Sequence, residues 1–365
     1  MQQNPKIIDL FAGVGGLSLG FEMAGFDVAL ANEYDPSIAE SYIKNRSSTN
    51  MIVADIAKLP IKDMFAKFID EVAAVVGGPP CQGFSQKGQR KSLDDERNFL
   101  FKYFYEVVKL VQPQYFLMEN VPNLLTTEDG YFLKEIEKMF NEAGYSIDAD
   151  ILNAAEFGVP QNRKRAFVLG KKGEEKLALP KPINKIVTIW EAISDLAFLE
   201  SGEGTDEQPY KHAPQSVFQE LLRGSQNTLY NHISTRHAPI ALERMAMIPP
   251  GGGKESLPKE HITKSIYSGT WVRMNKDEVS VTITTRFDTP SSGKFTHPYL
   301  HRAITVREAA RLQSFPDSFR FYGTKGSQMK QVGNAVPPLL AKAVADTIFQ
   351  DIREKAATKA AAHPS

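Results

Sequence analysis

The sequence is poor in cysteine, in long apolar runs and in net charge, and each shortage excludes a class of protein. Cys81 is the single cysteine among 365 residues, so neither an internal disulfide nor a zinc site built on thiolates can form. No apolar run approaches the roughly 18 residues of a membrane helix, and Asp9 interrupts the N-terminus before a signal-peptide core develops. Lys and Arg together number 43, as do Asp and Glu, so no overall charge draws the chain to nucleic acid. We therefore expect a cytoplasmic protein with no membrane partner and only local basic surfaces.

The residues that are present have the composition of a globular protein. Hydrophobic residues make up 42% and charged residues 24% of the chain, and its length allows roughly two domains. Between Lys6 and Gly170, short aliphatic runs alternate with amphipathic stretches, a pattern typical of βα units on a mainly parallel sheet. The predicted strands are Ile7–Leu10, Val28–Asn32, Met51–Ala54, Val72–Val76, Tyr115–Met118 and Ala166–Leu169, and the predicted helices are Leu17–Ala24, Pro36–Asn45, Phe99–Val111 and Tyr131–Ala143.

The pattern changes after Lys171, where Lys, Glu, Pro, Gly and Ser become frequent and strand signals weaken. The Pro-Pro-Gly-Gly-Gly segment at 249–253 can continue no regular element, and we interpret this region as a second domain. Regular patterning returns with helices predicted over Val306–Ser314 and Leu339–Ile352, followed by a frayed tail.

Glycines follow the first predicted strand directly, at Gly13, Gly15 and Gly16, and Glu33 ends the next strand. Glycines let a backbone approach a ligand closely, and a carboxylate at a strand tip can accept both ribose hydroxyls of a nucleoside. The spacing is not the full dinucleotide pattern, which favours a cofactor without a pyrophosphate. The alternative is a tight βα turn with Glu33 as an ordinary surface residue.

Cys81 follows the strand at 72–76 on a loop stiffened by Pro79 and Pro80. Most lone cysteines are inert core residues, but this one lies where open α/β sheets have their ligand crevice. Glu119 ends the next strand along the chain. If the two strands are neighbours, thiol and carboxylate converge on one pocket suited to nucleophilic attack coupled to protonation. Standing alone, Glu119 could equally be a solvated strand terminus.

A cationic run, Gln161–Arg165, precedes the last predicted strand. Such a run is usually a solvated face, and the alternative is a clamp for a phosphate or for a carboxylate in the pocket.

Taken together, these segments resemble the DNA (cytosine-5) methyltransferase family of prokaryotic type. The resemblance covers both ends of the chain, and its motifs agree with the family in order, spacing and residue identity. The stretch from Lys172 to Arg302 diverges, and in this family it is the target-recognition domain. The motifs are Asp9–Gly16, Glu33-Tyr34, Ala54–Ile56, Pro79–Gln82, Arg97–Leu100, Met118–Val121, Gln161–Arg165, Arg302–Phe315 and Gln331–Pro338.

The resemblance implies a Rossmann-like α/β fold of the S-adenosylmethionine-dependent methyltransferases, with a smaller, irregular recognition domain. It divides the chain into a discontinuous catalytic domain at 1–180 and 325–356, a target-recognition domain at 181–300, a hinge and motif helix at 301–324 and a tail at 357–365.

The cofactor that the resemblance implies is S-adenosylmethionine. Phe11 would pack on its adenine, Glu33 would hold the ribose hydroxyls, and Asp55 and Ile56 would contact the adenine edge. The same pocket would include Gly13, Gly15, Gly16, Tyr34, Pro80, Leu100, Asn334 and Ala335.

The resemblance also implies the chemistry. Cys81 would add to carbon 6 of cytosine, Glu119 would protonate N3, and Arg165 would orient the base and the carboxylate, with Arg163 a weaker candidate for the same pocket. Because stacked neighbours cover the ring in a duplex, the cytosine must swing out. The polar, basic segment Gly83–Asp95 is expected to close over the DNA.

The expected partner is double-stranded DNA, bound by a monomer associated with the nucleoid, with a cognate restriction endonuclease acting on the same site. Two alternatives stay open. The first is the branch of the family that methylates tRNA, although the chain shows no second cysteine for that branch's Cys-Phe-Thr element. The second is a DNA-binding homologue without activity.

Overall fold

The computed structural model describes residues 3–80, 99–263 and 269–362. Contacts divide the chain into two compact units. Unit 1 comprises Met1–Asn153, Lys164–Pro182 and Pro338–Ser365, and unit 2 comprises Ala154–Arg163 and Ile183–Pro337. In the described ranges, no helix combines the length and the apolar character needed to cross a membrane.

Strands and helices alternate through the first half of the chain, and helices predominate in the second half. The strands are β1 (Lys6–Leu10), β2 (Asp27–Glu33), β3 (Met51–Val53), β4 (Ala74–Gly77), β5 (Tyr115–Asn120), β6 (Tyr145–Asn153), β7 (Lys164–Lys172), β8 (Glu207–Pro209) and β9 (Thr228–Tyr230). The helices are α1 (Gly16–Met23), α2 (Pro36–Asn45), α3 (Ile61–Phe65), α4 (Phe99–Val111), α5 (Asn123–Thr126), α6 (Tyr131–Glu142), α7 (Ile189–Ile193), α8 (Val217–Arg223), α9 (Pro239–Met247), α10 (Val306–Leu312), α11 (Lys325–Asn334) and α12 (Pro338–Ala362).

Unit 1 is built on a seven-stranded sheet in the order β3-β2-β1-β4-β5-β7-β6. The pairs from β3 to β5 are parallel, and β7 is antiparallel to both of its neighbours. Every residue of β4 is buried, as expected for a short aliphatic strand covered on both faces. The mainly parallel α/β sheet predicted from the sequence is confirmed.

Aromatic side chains fill the core between the sheet and the helices α4 and α6. Phe116 of β5 is fully buried and stacks on Phe140 of α6, with ring centroids 4.0 Å apart. Phe104 of α4 meets Phe116 edge to face. These contacts hold β5 firmly, and β5 carries Glu119 at its carboxyl end.

The last helix, α12, returns to unit 1 and packs on α1 and on the sheet. Its Asp351 accepts hydrogen bonds from the Tyr115 hydroxyl and, at 3.0 Å, from the Lys171 ammonium group. The approach to α1 is close at Gly20, where an added Cβ would clash with the Cβ of Ala341. The N-terminal and C-terminal segments therefore form one domain.

Unit 2 has a charged interior centred on α10, in which all seven residues are buried. The guanidinium of Arg302 binds both carboxylate oxygens of Glu308 at 2.7 Å, and Arg311 pairs with Asp195 and Asp317. Burial alone would raise the pKa of Glu308, but the Arg302 charge holds that pKa well below its usual range.

The predicted boundaries differ from the structure at several points. The segment 301–324 is not a hinge, because α10 lies inside unit 2 and is fully buried. Segments 154–163 and 325–337 also belong to unit 2 rather than to the catalytic domain. The final helix does not fray at 357 but continues to Ala362, since its Ala- and Lys-rich end contains no helix breaker. The edge strand β6 was not among the predicted strands, although its Tyr-Ser-Ile-Asp-Ala-Asp start alternates apolar and polar residues, as a half-buried strand does.

We predict that Gly20→Ala destabilises unit 1 by about 1–3 kcal/mol, since the new methyl group would force α1 away from α12. Urea unfolding followed by circular dichroism measures the effect. The matched control is Gly326→Ala on α11, where the new Cβ would meet only Thr324 Oγ1 at 4.0 Å. Equal unfolding midpoints for the Gly20→Ala variant and the wild type would contradict the close packing.

Candidate active site

The five parallel strands of unit 1, β1 to β5, end at the same edge of the sheet. Leu10 of β1 pairs with Gly77 of β4, and Gly77 pairs with Met118 of β5. The prediction that the strands preceding Cys81 and carrying Glu119 are neighbours is therefore confirmed. The order of strands reverses between β1 and β4, and in open α/β sheets ligands bind at such a reversal.

The glycine-rich loop after β1 is held by Glu33, the last residue of β2. Its Oε2 accepts a hydrogen bond from the N–H of Gly13, and its Oε1 accepts from the N–H groups of Tyr34 and Asp35, each at 2.9 Å. Burial raises the pKa of the Glu33 carboxyl, and these three N–H donors oppose the shift. About four acceptor positions exist on a carboxylate, so one stays available for a ligand hydroxyl.

The loop has left-handed backbone at three positions, Phe11, Gly13 and Gly15. Gly15 has φ +87°, and a Cβ there would lie 2.6 Å from the ring of Tyr42 and 2.7 Å from the Arg46 guanidinium. Phe11 adopts φ +57°, which is uncommon for a residue with a side chain and costs about 1–3 kcal/mol. An added Cβ at Gly13 would meet nothing within 4 Å, so the loop leaves open space there.

The other residues of unit 1 that were predicted to contact the cofactor differ in how far their side chains are exposed to solvent. Asp55 caps a short 3-10 helix by accepting a hydrogen bond from the N–H of Ala57. The Ile56 side chain is buried in the core, and Leu100 packs against the same core. Tyr34 is 71% exposed, so its side chain is open to solvent.

Glu119 and Arg165 form an ion pair at this edge, with Arg165 Nε 3.0 Å from Glu119 Oε1. Both side chains are largely buried, at 12% and 16% exposure. The antiparallel direction of β7 explains the meeting, because Arg165 lies near its start while Glu119 lies near the end of β5. A Cβ added at Gly78 would lie 3.0 Å from the other carboxylate oxygen, Glu119 Oε2.

The loop that leads to Cys81 is fixed by a residue that the sequence analysis did not single out. Asn120 Nδ2 donates a 2.8 Å hydrogen bond to the carbonyl of Pro79, and Asn120 itself is buried. The sequence does contain a signal for this role, because Asn120 is a polar residue at the end of a buried strand. Pro80 is exposed and is the last described residue before the gap. Cys81 and the predicted closing segment Gly83–Asp95 lie outside the described residues.

The prediction for Arg163 is wrong. Its guanidinium is fully buried in unit 2 and donates to the carbonyls of Ile283, at 3.2 Å, and Gly333, at 2.8 Å. Gln161 is buried beside it and accepts from the N–H of Ile283. These side chains hold unit 2 together, and Arg163 is not available to a substrate. Lys171, near the other end of β7, is likewise buried and paired.

Asn334 and Ala335 also belong to unit 2. Asn334 ends α11 and is exposed, while Ala335 follows as the C-cap residue. The preceding Gly333 packs so closely against the backbone of Thr284 that an added Cβ would clash with the carbonyl oxygen. The contacts of Asn334 and Ala335 with a cofactor stay predictions.

A buried polar cluster lies behind the glycine-rich loop. Asp9 of β1 accepts a hydrogen bond from the Ser18 hydroxyl, which is 2.8 Å from the hydroxyl of Tyr42. Burial raises the pKa of Asp9 to about 7, and the Ser18 hydrogen bond opposes this shift. Asp9 thereby connects β1 to α1 and, through the Ser18 hydroxyl, to α2.

Known proteins with this sequence pattern are methyltransferases. The profile of the family described as C-5 cytosine-specific DNA methylase matches residues 5–350. Type II methyltransferase M.DdeI of Desulfomicrobium norvegicum is 38% identical, over 94% of this chain and 88% of the relative. Type II methyltransferase M1.HphI of Haemophilus parahaemolyticus is also 38% identical, over 94% of this chain and 86% of the relative.

Solved structures agree with the sequence comparison. A prophage-encoded protein of Escherichia coli, described as a DNA modification methyltransferase, has a TM-score of 0.77 and 30% identity, over 96% of this chain and 99% of that chain. The Dnmt2 methyltransferase of S. pombe, at 20% identity and a TM-score of 0.60 over 96% of this chain and 99% of that chain, shares the fold.

The sheet and its site therefore define a protein with the fold of the S-adenosylmethionine-dependent methyltransferases. Within that class, the chain belongs to the C-5 cytosine-specific DNA methylase family. It is an enzyme, a DNA (cytosine-5) methyltransferase.

The buried Asp9 predicts a pH-dependent stability. Its folded pKa of about 7 exceeds the ordinary value of 3.8, so folding binds a proton and stability falls as the pH rises between these values. Relative to Asp9→Asn, the free energy of unfolding of the wild type is expected to drop by about 2–3 kcal/mol between pH 5 and pH 8. Urea unfolding of both proteins at the two pH values measures this difference. A constant difference would show that Asp9 does not titrate in this range.

Proposed function

We propose that the enzyme transfers the methyl group of S-adenosylmethionine to carbon 5 of a cytosine in a short duplex DNA sequence, through a covalent adduct of Cys81 at carbon 6. One observation carries the proposal. The glycine-rich loop with Glu33, the Pro79-Pro80 loop that leads to Cys81, and the Glu119–Arg165 ion pair all belong to one edge of the sheet.

The residues at this edge fit the cofactor. Glu33 has an acceptor position left for a ribose hydroxyl, and the backbone around Gly13 leaves open space. The Ile56 side chain is buried in the core. Ile56 would therefore contact the adenine through its main chain, next to the Asp55 carboxylate. Phe11 would pack on the adenine ring. S-adenosylmethionine, when bound, supplies a methyl group on a positively charged sulfur.

Carbon 5 of cytosine is a weak nucleophile, and the chain's own residues would activate it. The Cys81 thiolate adds to carbon 6, and the electron pair of the 5,6 double bond moves into the ring as N3 gains a proton. Carbon 5 of the resulting enamine then takes the methyl group, and S-adenosylhomocysteine leaves. Loss of the proton on carbon 5 to a base restores the 5,6 double bond and expels the Cys81 thiolate, and N3 returns its proton to the Glu119 carboxylate.

Glu119 is positioned for proton transfer to N3, and Arg165 is positioned to orient it. The 3.0 Å ion pair fixes one carboxylate oxygen, while the second oxygen lies next to the Gly78 backbone, three residues before Cys81. The hydrogen bond from Asn120 to the Pro79 carbonyl supports the same loop from β5. Two neighbouring strands, β4 and β5, would therefore determine the positions of the nucleophile Cys81 and the acid Glu119.

Duplex DNA is the substrate that we infer, with the target cytosine swung out of the stack so that carbon 6 becomes accessible. The relatives named type II methyltransferases support DNA over tRNA, and they also support membership of a restriction-modification system with an endonuclease for the same site. We further propose that the enzyme works as a cytoplasmic monomer.

The substrate is tested by incubating the enzyme with radiolabelled S-adenosylmethionine and either unmethylated duplex DNA or total tRNA, followed by bisulfite sequencing of the product. We expect label in DNA at cytosines within one recurring sequence. Cys81→Ala should abolish labelling and retain DNA binding in a gel-shift assay, because only the nucleophile is lost. Label in tRNA alone, or full turnover by the Cys81→Ala variant, would contradict the proposal.

A second experiment tests the cofactor site. Glu33→Ala removes the carboxylate that anchors Gly13 and would hold the ribose, so the Kd for S-adenosylhomocysteine should rise about 10-fold or more. Isothermal titration calorimetry measures the affinity. Asp27→Ala is the control, because Asp27 is exposed at the opposite end of the same strand. An unchanged Kd in the Glu33→Ala variant would remove Glu33 from the site.

A further inference from the structure

A buried arginine, Arg46, lies behind the glycine-rich loop, directly after α2. Its side chain is 6% exposed, and its Nε contacts both carboxylate oxygens of Glu22 on α1, at 2.8 and 3.0 Å. Its Nη2 donates a 2.8 Å hydrogen bond to the carbonyl of Gly15. The guanidinium also lies 4.7 Å from the centre of the Tyr42 ring. A single planar group therefore joins the loop, α1 and α2.

The contact with Gly15 falls where the loop ends and α1 begins, and the same carbonyl also accepts a 2.9 Å hydrogen bond from the N–H of Leu19. Gly15 is the N-cap residue of α1, has left-handed backbone and has no side chain to cap the helix. Tyr42 and Arg46 occupy the space that a Cβ would need, so loop and guanidinium are in close contact. A hydrogen bond from a charged donor to a buried carbonyl is among the stronger polar contacts in proteins.

In addition to its main-chain hydrogen bonds, the loop is held by side chains on opposite sides of Val14. Glu33 accepts from the N–H of Gly13, and Arg46 donates to the carbonyl of Gly15. Glu33 is the residue that would contact the ribose, so a shift of Gly15 would be passed to Gly13 and to the Glu33 carboxylate. Lysine could not replace Arg46, because an ammonium group has no planar fork to reach Glu22 and Gly15 together.

We propose that Arg46 is a positioning residue for the cofactor, which fixes the glycine-rich loop in its binding conformation and so sets the affinity for S-adenosylmethionine. This inference rests on the proposed function of the loop. Arg46 touches neither the substrate nor the reacting atoms, so its effect should be on cofactor binding and not on the chemical step.

The test compares three variants of the full-length enzyme. Arg46→Met keeps the apolar stem and removes the guanidinium, and Arg46→Lys keeps the charge without the fork. Lys44→Met is the matched control, since Lys44 lies two residues earlier in the last turn of α2 and forms an exposed ion pair with Glu40. Calorimetry gives the Kd for S-adenosylhomocysteine, and steady-state kinetics give kcat and the KM values for cofactor and DNA.

We expect Arg46→Met to raise the Kd and the cofactor KM about 10-fold, the scale of one lost hydrogen bond from a charged group. Its kcat at saturating cofactor and its KM for DNA should stay at wild-type values, and Arg46→Lys should have an intermediate Kd. Lys44→Met should match the wild type in every constant.

A folded Arg46→Met variant with wild-type affinity would overturn the proposal, whatever its melting temperature. If circular dichroism shows that Arg46→Met is unfolded, Arg46→Lys decides by the same criterion. A wild-type enzyme that fails to bind S-adenosylhomocysteine would instead contradict the proposed cofactor site itself, so the two failures are distinguishable.

Discussion

Strand direction is the constraint on which the arrangement of the candidate site depends. Because β1, β2, β4 and β5 are parallel, the residues that follow them meet at one edge, and the reversed β7 brings Arg165 to Glu119. If β7 were parallel to β5, the start of β7 would lie at the far edge and the ion pair could not form. The stacked rings of Phe116 and Phe140 pack under β5 and support this geometry, as the proposed role of Glu119 requires.

Unit 2 has an interior of a different kind. Its central helix α10 is surrounded by buried arginine–carboxylate pairs, and every charge in those pairs is matched by a partner within unit 2. Pairs of this kind are costly to bury, and removing one partner leaves a charge without compensation. They link α10 to the segments that carry Asp195 and Asp317. The Arg302–Phe315 motif is therefore structural, which its charged composition alone did not reveal.

Much of the fold could be predicted, because the strands of unit 1 are short aliphatic runs bounded by turn residues. Glu33 and Glu119 could be singled out because each is a carboxylate at the end of such a run. The role of Arg163 could not be predicted, since its carbonyl partners at Ile283 and Gly333 are remote in sequence. Asn120 and Arg46 were missed for the same reason, because both act through backbone carbonyls of another segment.

The central claim is that Cys81 bonds to carbon 6 of a cytosine during methyl transfer. It is tested by incubating the enzyme and S-adenosylmethionine with duplex DNA in which 5-fluorocytosine replaces cytosine, because the fluorine blocks the final loss of a proton from carbon 5. Intact-mass analysis should show protein, DNA and one methyl group joined covalently, with the bond mapped to Cys81. Methylation of ordinary DNA without any trapped complex on the fluorinated duplex would contradict the account.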